Sequence, residues 1–461
     1  AIIGWGYWRG LMRIRGLAMR LLAAGVLLAP MALVAHGHDG GMAGHDPMAA
    51  VHVVAERATF HAALRDFGGR ALPRRDAQGN ELVLATLREH QLEDLTRHVH
   101  EVERRCGGYF AFSTRAEAEA FVASETGLRG LQASLPAYSV SQQALVEPWL
   151  GQVSEPALRA TIEHLSTAWP NRYYASSHGH SAPLWIRDHW LSLAAGRSDV
   201  TAELFTACGN CGGQPSVILT IEGTDLADEV VVLGGHLDSI SYAGSGDAMD
   251  APGADDDASG IATLTEVLRI AMAEGYRPRR TVMFMGYAAE EVGLRGSRAI
   301  AQRFAAEGRN VVGVLQMDMT NYKAPGATTD IRVMTDNSHP QLVQFLRELF
   351  DAYLAPLGYT RGESSCGYAC SDHASWTAAG FPAAMYDEGP FFPLLHTPDD
   401  TLERLGGTAE HATIIARLGL AFMGELGLEA RSRMKAPVVR PPSGDESRMR
   451  RPQVPVVPPT P

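Results

Sequence analysis

GGHLDSISYAGSGDAMDAPGADDDASG, from Gly234 to Gly260, decides how the rest of the chain is read. It sets one imidazole, His236, and three consecutive carboxylates, Asp255, Asp256 and Asp257, between an apolar run, DEVVVLGGH, and a helical pattern. In that pattern Ile261, Leu264, Leu268, Ala271 and Met272 share one face, Gly275 closes the helix and Pro278 lies beyond it, so an amphipathic helix is expected. An imidazole and a carboxylate cluster at a strand-to-helix junction read as half of a metal site.

Three later stretches supply what the first lacks: YAAEEVGLRGS with Glu290 and Glu291, LQMDMTNY with Asp318, and PLLHTPDDT with His396. Ligand-type residues therefore gather where short apolar runs end, and strand ends are where open α/β sheets place their sites. Two His and three carboxylates could hold two ions if one carboxylate bridges them. Taken singly, a lone His is usually a surface or satisfied core residue, and an Asp run usually marks a turn. Their recurrence at consecutive strand ends outweighs that reading.

Around this stretch, PSVILTIEG, TVMFMGY, NVVGVLQM, DIRVMTD and FPAAMYDE read as strands separated by helices such as PALRATIEHLSTA and HPQLVQFLRELFDAYL. The fold class that follows is α/β, a mainly parallel mixed sheet flanked by helices on both faces. Upstream, ELVLATLRE, QLEDLTRHVHEVERR, YFAF and RAEAEAFVA alternate strand and helix, which predicts a small α+β unit. The 461 residues exceed one usual domain of about 100 to 200 residues. A net charge of -12 with no basic stripe argues against a nucleic-acid partner.

Residues 12–37 read as a secretory signal, with Arg13, Arg15 and Arg20 ahead of LLAAGVLLAPMALVA. That run is shorter than the roughly 20 residues a membrane span needs. A secreted protein with no membrane association after signal removal is expected, and residues 1–11 read as an upstream extension. His36, His38 and His45 belong to a Gly-rich segment read as a flexible tail, and the Pro-rich stretch after about Arg431 reads as an extended end. The expected boundaries are 1–37, 38–140, 141–430 and 431–461. Cys208 with Cys211 and Cys366 with Cys370 suggest two small-loop disulfides in an oxidising compartment, leaving Cys106 over. Cys106 reads as a helix-end residue, with a zinc-capping zymogen switch as the alternative.

GGHLDS, PGADDDASG, AAEEVGLRGS, QMDMTNYK, CGYACSDHASW and HTPDDT, in this order between about Val146 and Leu428, resemble the co-catalytic two-zinc aminopeptidases, the secreted leucyl aminopeptidases of the Vibrio/Aeromonas type. The resemblance implies two Zn²⁺ per chain, with Asp256 bridging, His236 and Asp318 on one ion, and Glu291 and His396 on the other. Hydroxide generated at the ions would attack the peptide, with Glu290 as general base. Side chains of adjacent residues leave an extended backbone on opposite sides, so Glu290 need not share the ion of Glu291. Asp238 would fix the His236 tautomer. Tyr368, inside a Cys366–Cys370 disulfide loop, would hydrogen-bond the reacting carbonyl oxygen, and Ser371, Asp372 and His373 would be structural support. A cis peptide is expected between Asp256 and Asp257.

The substrates implied are peptides with a free N-terminus. Met319, Met385, Phe391, Phe392 and Leu395 are candidates for a pocket taking a large apolar, leucine-like first residue. Residues 38–140 would be a propeptide that assists folding, inhibits, and is removed near Leu135 to Gln143 to leave a monomer. The chain departs from the pattern at CGNC (Cys208 to Cys211) and in a shorter Met385 to His396 segment, which leaves the preference for leucine open. Other readings on the same scaffold are a carboxypeptidase, an aminoacylase or a glutaminyl cyclase, and outside enzymes a binding module. A carboxypeptidase needs an arginine clamp, for which Arg295 and Arg404 lie nearest the motifs.

Overall fold

The computed structural model describes residues 46–65, 67–75, 81–103, 107–123 and 137–429. The signal segment, His36, His38, His45, Cys106 and the Pro-rich tail lie outside the described residues.

The N-terminal module is a four-stranded antiparallel sheet of β1 (Ala50–Glu56), β2 (Leu72–Arg75), β3 (Glu81–Arg88) and β4 (Tyr109–Phe112), in the order β2-β3-β1-β4. The expected helices are present at Glu89–Arg97 and Arg115–Ala123. Sequence reading missed β1 and β2. β1 is central and buried on both faces, so VHVVA lacks a two-residue alternation; β2 is a four-residue polar edge.

One face of this sheet closes a small core with Leu95 and Val99, while Val54, Leu84, Phe110 and Phe112 on the other meet Leu294 and Ala374 of the larger module. The junction is tied by polar contacts as well. Arg295 Nη1 donates to Glu89 Oε1 at 2.6 Å and the Tyr174 hydroxyl donates to it at 2.8 Å. Ala111 N donates to Gly293 O at 3.3 Å, and Gly108 N to Ala369 O at 3.1 Å. Glu89 and Arg295 are both buried, and removing one partner of a buried pair strands the other charge. Glu89→Ala should therefore lower stability by about 3 to 5 kcal/mol in urea unfolding; a change under about 1 kcal/mol would mean the pair does not hold the modules together.

The larger module is built on an eight-stranded sheet. Its strands are β5 (Val200–Phe205), β6 (Ser216–Ile221), β7 (Leu226–His236), β8 (Arg280–Tyr287), β9 (Asn310–Met317), β10 (Ile331–Met334), β11 (Arg361–Ser364) and β12 (Ala383–Asp387). They lie in the order β11-β10-β12-β9-β7-β8-β6-β5. The centre, β8-β7-β9-β12, is parallel, with β6 and β5 antiparallel on one side and β10 antiparallel on the other. The sequence reading lacked β5 and β11, short edge strands with alternating polar residues.

Successive side chains of a strand leave opposite faces. In β7, Val231 and Leu233 enter one core and Val230 and Val232 the other, and β8 divides Val282 and Phe284 from Met283 and Met285 in the same way. The first core is closed by helices Glu155–Thr167, Gly260–Ala273 and Ala412–Leu428, the second by Arg295–Ala306 and His373–Ala378. The sheet is thus covered on both sides, the α/β arrangement that the apolar runs implied.

One expectation needs correcting. The helix Gly260–Ala273 is not amphipathic but buried almost all round, because the sheet and three helices enclose it. Its polar members are satisfied inside: Thr265 Oγ1 donates to Ile261 O at 2.7 Å and accepts from Trp190 Nε1 at 2.8 Å, and Glu266 accepts from Ser154 N at 2.7 Å. Its enclosed N-terminus carries the Asp triplet. Among the described residues no helix is long and apolar enough to cross a membrane.

Candidate metal centre

Adjacent parallel strands deliver the polar residues to one edge of the sheet. His236 is the last residue of β7, Glu290 and Glu291 follow the end of β8, Asp318 follows β9 directly, and His396 comes from the loop after β12. His236 Nε2 lies 2.7 Å from Asp256 Oδ1 and 3.5 Å from Asp318 Oδ1. His396 Nε2 lies 2.8 Å from Asp256 Oδ2 and 3.3 Å from Glu291 Oε2. The Asp256 carboxylate thus stands between two imidazoles, one oxygen toward each.

The three aspartates divide the work. Asp257 accepts from the backbone N–H of His236 at 3.0 Å, Gly260 at 2.8 Å and Met319 at 3.2 Å, and Asp255 accepts from Asn321 N at 3.1 Å. Asp400 in turn accepts from the N–H groups of Asp255 at 2.9 Å and Asp256 at 3.2 Å. The Asp256–Asp257 peptide is cis, as expected. Gly260 is required by close approach, since a Cβ there would stand 2.3 Å from both Asp257 Oδ1 and Met317 O. Ala289, Met319 and His396 hold positive φ angles of 53°, 53° and 57°, a conformation that costs a non-glycine residue energy and clusters at functional sites.

Asp238 does more than face His236. Its Oδ1 is 3.3 Å from His236 Nδ1, an ion-pair distance, and the same carboxylate accepts from Glu290 N at 3.0 Å and Glu291 N at 3.3 Å. One side chain therefore fixes the imidazole and the turn that presents both glutamates. Ser371 Oγ donates to Asp318 Oδ2 at 2.5 Å, which leaves Oδ1 directed at His236.

Electrostatically the pocket is short of positive charge. Burial, reinforced by the Asp256 charge, pushes Glu291 up to about 8. Burial also pushes Asp400 up to about 8 and Asp255 up to about 7, and it holds Glu290 well above the usual carboxylate range. For His396 burial acts downward, but Glu291 and the Asp256 hydrogen bond outweigh it and push the imidazole up to about 10. Asp318 Oδ1, Glu290 Oε1 and both Glu291 oxygens are buried without a well-formed hydrogen bond, and leaving such groups uncompensated is costly. Divalent cations relieve this, and nitrogen plus carboxylate oxygen is a donor set that suits zinc. Among the described residues two groups have their ligand atoms close enough to hold an ion: His236, Asp256 and Asp318, and His100, Glu291 and His396.

Cys366 and Cys370 are disulfide-bonded, as are Cys208 and Cys211. Tyr368 is buried in a cluster with Met334, Cys370 and Met385, beside a cavity of about 230 Å³ that Phe391 and Arg332 also line. Met319 is buried, Leu395 half-buried, and Phe392 packs its ring 5.0 Å from that of Tyr322. Arg295 is committed to Glu89, and Arg404 is exposed beside Asp399 at 3.1 Å.

Two residues escaped the sequence reading. Arg172 is buried and donates to the carbonyls of Leu165, Leu237, Pro252 and Gly253, which ties the loop before the Asp triplet to the end of β7; nothing in WPNRYY marks this. His100 of the N-terminal module stacks on His396 with ring centroids 3.8 Å apart. In sequence it is one of two histidines in an ordinary amphipathic helix.

Known proteins fit this geometry. A sequence model of peptidase family M28 matches residues 216–419, which contain all five candidate ligands. A probable leucine aminopeptidase of the fungus Arthroderma benhamiae is 37% identical over 293 residues, covering 62% of this chain and 77% of that protein. Leucine aminopeptidase 1 of Leptosphaeria maculans is 36% identical over 307 residues, covering 64% and 75%. The LapA aminopeptidase of Legionella pneumophila superposes with a TM-score of 0.71 at 27% identity, over 84% of this chain and 100% of that one. With the ligand-type residues at the sheet edge and relatives aligned across most of their own length, the chain belongs to peptidase family M28.

Proposed function

We propose that the protein is a secreted zinc aminopeptidase that removes large apolar, leucine-like residues from peptide N-termini. The observation that carries the reading is the Asp256 carboxylate set between His236 and His396, with Asp318 and Glu291 on either side. His236, Asp256 and Asp318 would hold one ion, and Asp256, Glu291 and His396 the other. Bound there, two such ions supply Lewis acidity and make water nucleophilic at neutral pH.

The remaining chemistry belongs to the chain's own side chains. Glu290, buried beside the ligands but aligned by Asp238 through its backbone N–H, takes the proton of the attacking water and passes it to the leaving amine. Asp238 keeps the His236 ring and the glutamate turn in register. Tyr368 would donate to the reacting carbonyl oxygen. Met385 and Phe391, beside Tyr368, would meet the first side chain, with Met319 and Leu395 close to ligands in sequence and Phe392 supporting through Tyr322.

Membership of the M28 family and the leucine aminopeptidase relatives support this reading. Two disulfides support an oxidising compartment. The engagement of Arg295 with Glu89 and of Arg404 with Asp399 weighs against a carboxypeptidase. We assign residues 38–140 as a propeptide of a monomeric enzyme, supported by their separate sheet and core. The test is hydrolysis of leucine p-nitroanilide and its N-acetyl derivative before and after limited proteolysis of the segment joining the modules. The free substrate should be cleaved, the blocked one spared, and a chelator should abolish turnover until zinc is restored. Equal cleavage of the blocked substrate would exclude an aminopeptidase.

A further inference from the structure

We propose that the Arg332–Asp387 ion pair, which lines the cavity beside Tyr368, recognises a carboxamide, so that glutamine joins the leucine-sized first residues this site accepts. The inference rests on the aminopeptidase reading above, with the first side chain entering that cavity, and refines which side chains are taken. β12 runs parallel to β9 up to Tyr386 and Met317. The next residues are Asp387 and Asp318, so β12 carries an acid to the same sheet edge as a candidate ligand. β10 lies on the far side of β12, with Arg332 opposite Asp387 and Val333 opposite Tyr386. Val333 and Tyr386 enter the core, and by alternation Arg332, Met334, Met385 and Asp387 share the other face. There Met334 and Met385 cluster with Tyr368. The cavity of about 230 Å³ is bounded by Met334, Tyr368 and Phe391, and equally by Arg332, Ser364 and Asp387. Apolar walls and an ion pair therefore meet around room for one side chain.

The pair is fixed but not saturated. Arg332 Nε donates to Asp387 Oδ1 at 2.9 Å, and Arg332 Nη2 donates to Gly389 O. Gly389 N donates to Asp387 Oδ1 at 2.9 Å, and the Ser364 hydroxyl donates to Asp387 Oδ2. Asp387 is buried, whereas 30% of the Arg332 side chain is exposed, and its Nη1 has no hydrogen-bond partner among the described residues. A carboxylate oxygen accepts two hydrogen bonds, so Oδ2 keeps one place beside the serine. The pair thus offers N–H donors and one acceptor, without net charge. A carboxamide matches both, its oxygen accepting from Nη1 and its N–H₂ donating to Oδ2. A cationic tip would face the guanidinium and an anionic tip the buried carboxylate, and like charges brought together cost several-fold to many-fold in selectivity. Met385 and Phe391 are left to pack the apolar stem that glutamine shares with methionine.

The test is kcat/KM of the zinc-loaded, proteolysed enzyme for the p-nitroanilides of glutamine, methionine, leucine, lysine and glutamate. Methionine has the length of glutamine without its polar tip. Glutamine should be cleaved at least as well as methionine, and both charged residues less well than glutamine. In the double variant Arg332→Met with Asp387→Leu, apolar side chains replace the pair. Its glutamine-to-methionine ratio should fall at least about tenfold, the contribution of a hydrogen bond to a charged group, and the ratio cancels any loss common to both substrates. Should that variant fail to fold, the wild-type ranking alone decides. Glutamine cleaved more slowly than methionine, lysine or glutamate by the wild type, or a ratio unchanged in the double variant, would overturn the recognition of a carboxamide and leave the aminopeptidase reading standing. Failure of all five substrates, leucine included, would overturn that reading itself.

Discussion

Glu290→Gln should lower kcat for leucine p-nitroanilide by about 10² to 10⁴-fold, the range a positioned acid–base group contributes, while zinc content, KM and melting temperature stay near wild type. The substitution is nearly isosteric and removes only the ability to exchange a proton. Glu290 Oε1 makes no hydrogen bond, so no structural contact to that oxygen is lost. The backbone N–H of residue 290 still donates to Asp238, so the adjacent Glu291 keeps its place. The comparison is made in the proteolysed enzyme, with Glu291→Gln alongside. If Glu291 is a ligand and Glu290 is not, the first variant loses zinc and the second does not. Activity of Glu290→Gln within threefold of wild type would remove it from the proton path.

The two glutamates also show what the sequence could carry. His236, Glu291 and Asp318 were legible because parallel strands buried on both faces leave long apolar runs, and a polar residue at the end of such a run marks the sheet edge where sites form. The strands β7, β8 and β9 follow that rule. His396 reads as following an apolar run too, but the structure places it in a loop beyond the end of β12 and not at a strand end. The double role of Asp238 and the backbone-capping roles of Asp255, Asp257 and Asp400 were not legible, because they depend on which N–H groups the folded loops bring near. His100 lay furthest from reach. Its position depends on how a whole module docks, through Glu89, Phe110 and Phe112, none of which carries a pattern that names its partner.

Among the three consecutive aspartates, side-chain direction separates two kinds of failure. Asp256→Ala should release both ions, since its carboxylate faces both imidazoles, and activity should fall by at least about 10³-fold, beyond the 10- to 100-fold typical of an outer-shell partner. Stability of the metal-free protein should fall less, because the two imidazoles that Asp256 faces can give up their protons once it is gone. Asp257→Ala should do the reverse. It would strand the N–H groups of His236, Gly260 and Met319, at about 1 to 3 kcal/mol for each buried donor left unpaired, so the metal-free protein should unfold at lower urea. Zinc titration and urea unfolding of the two variants side by side would read this out. Retention of two ions by Asp256→Ala would end the bridging role, because no other carboxylate on this edge faces both His236 and His396 among the described residues.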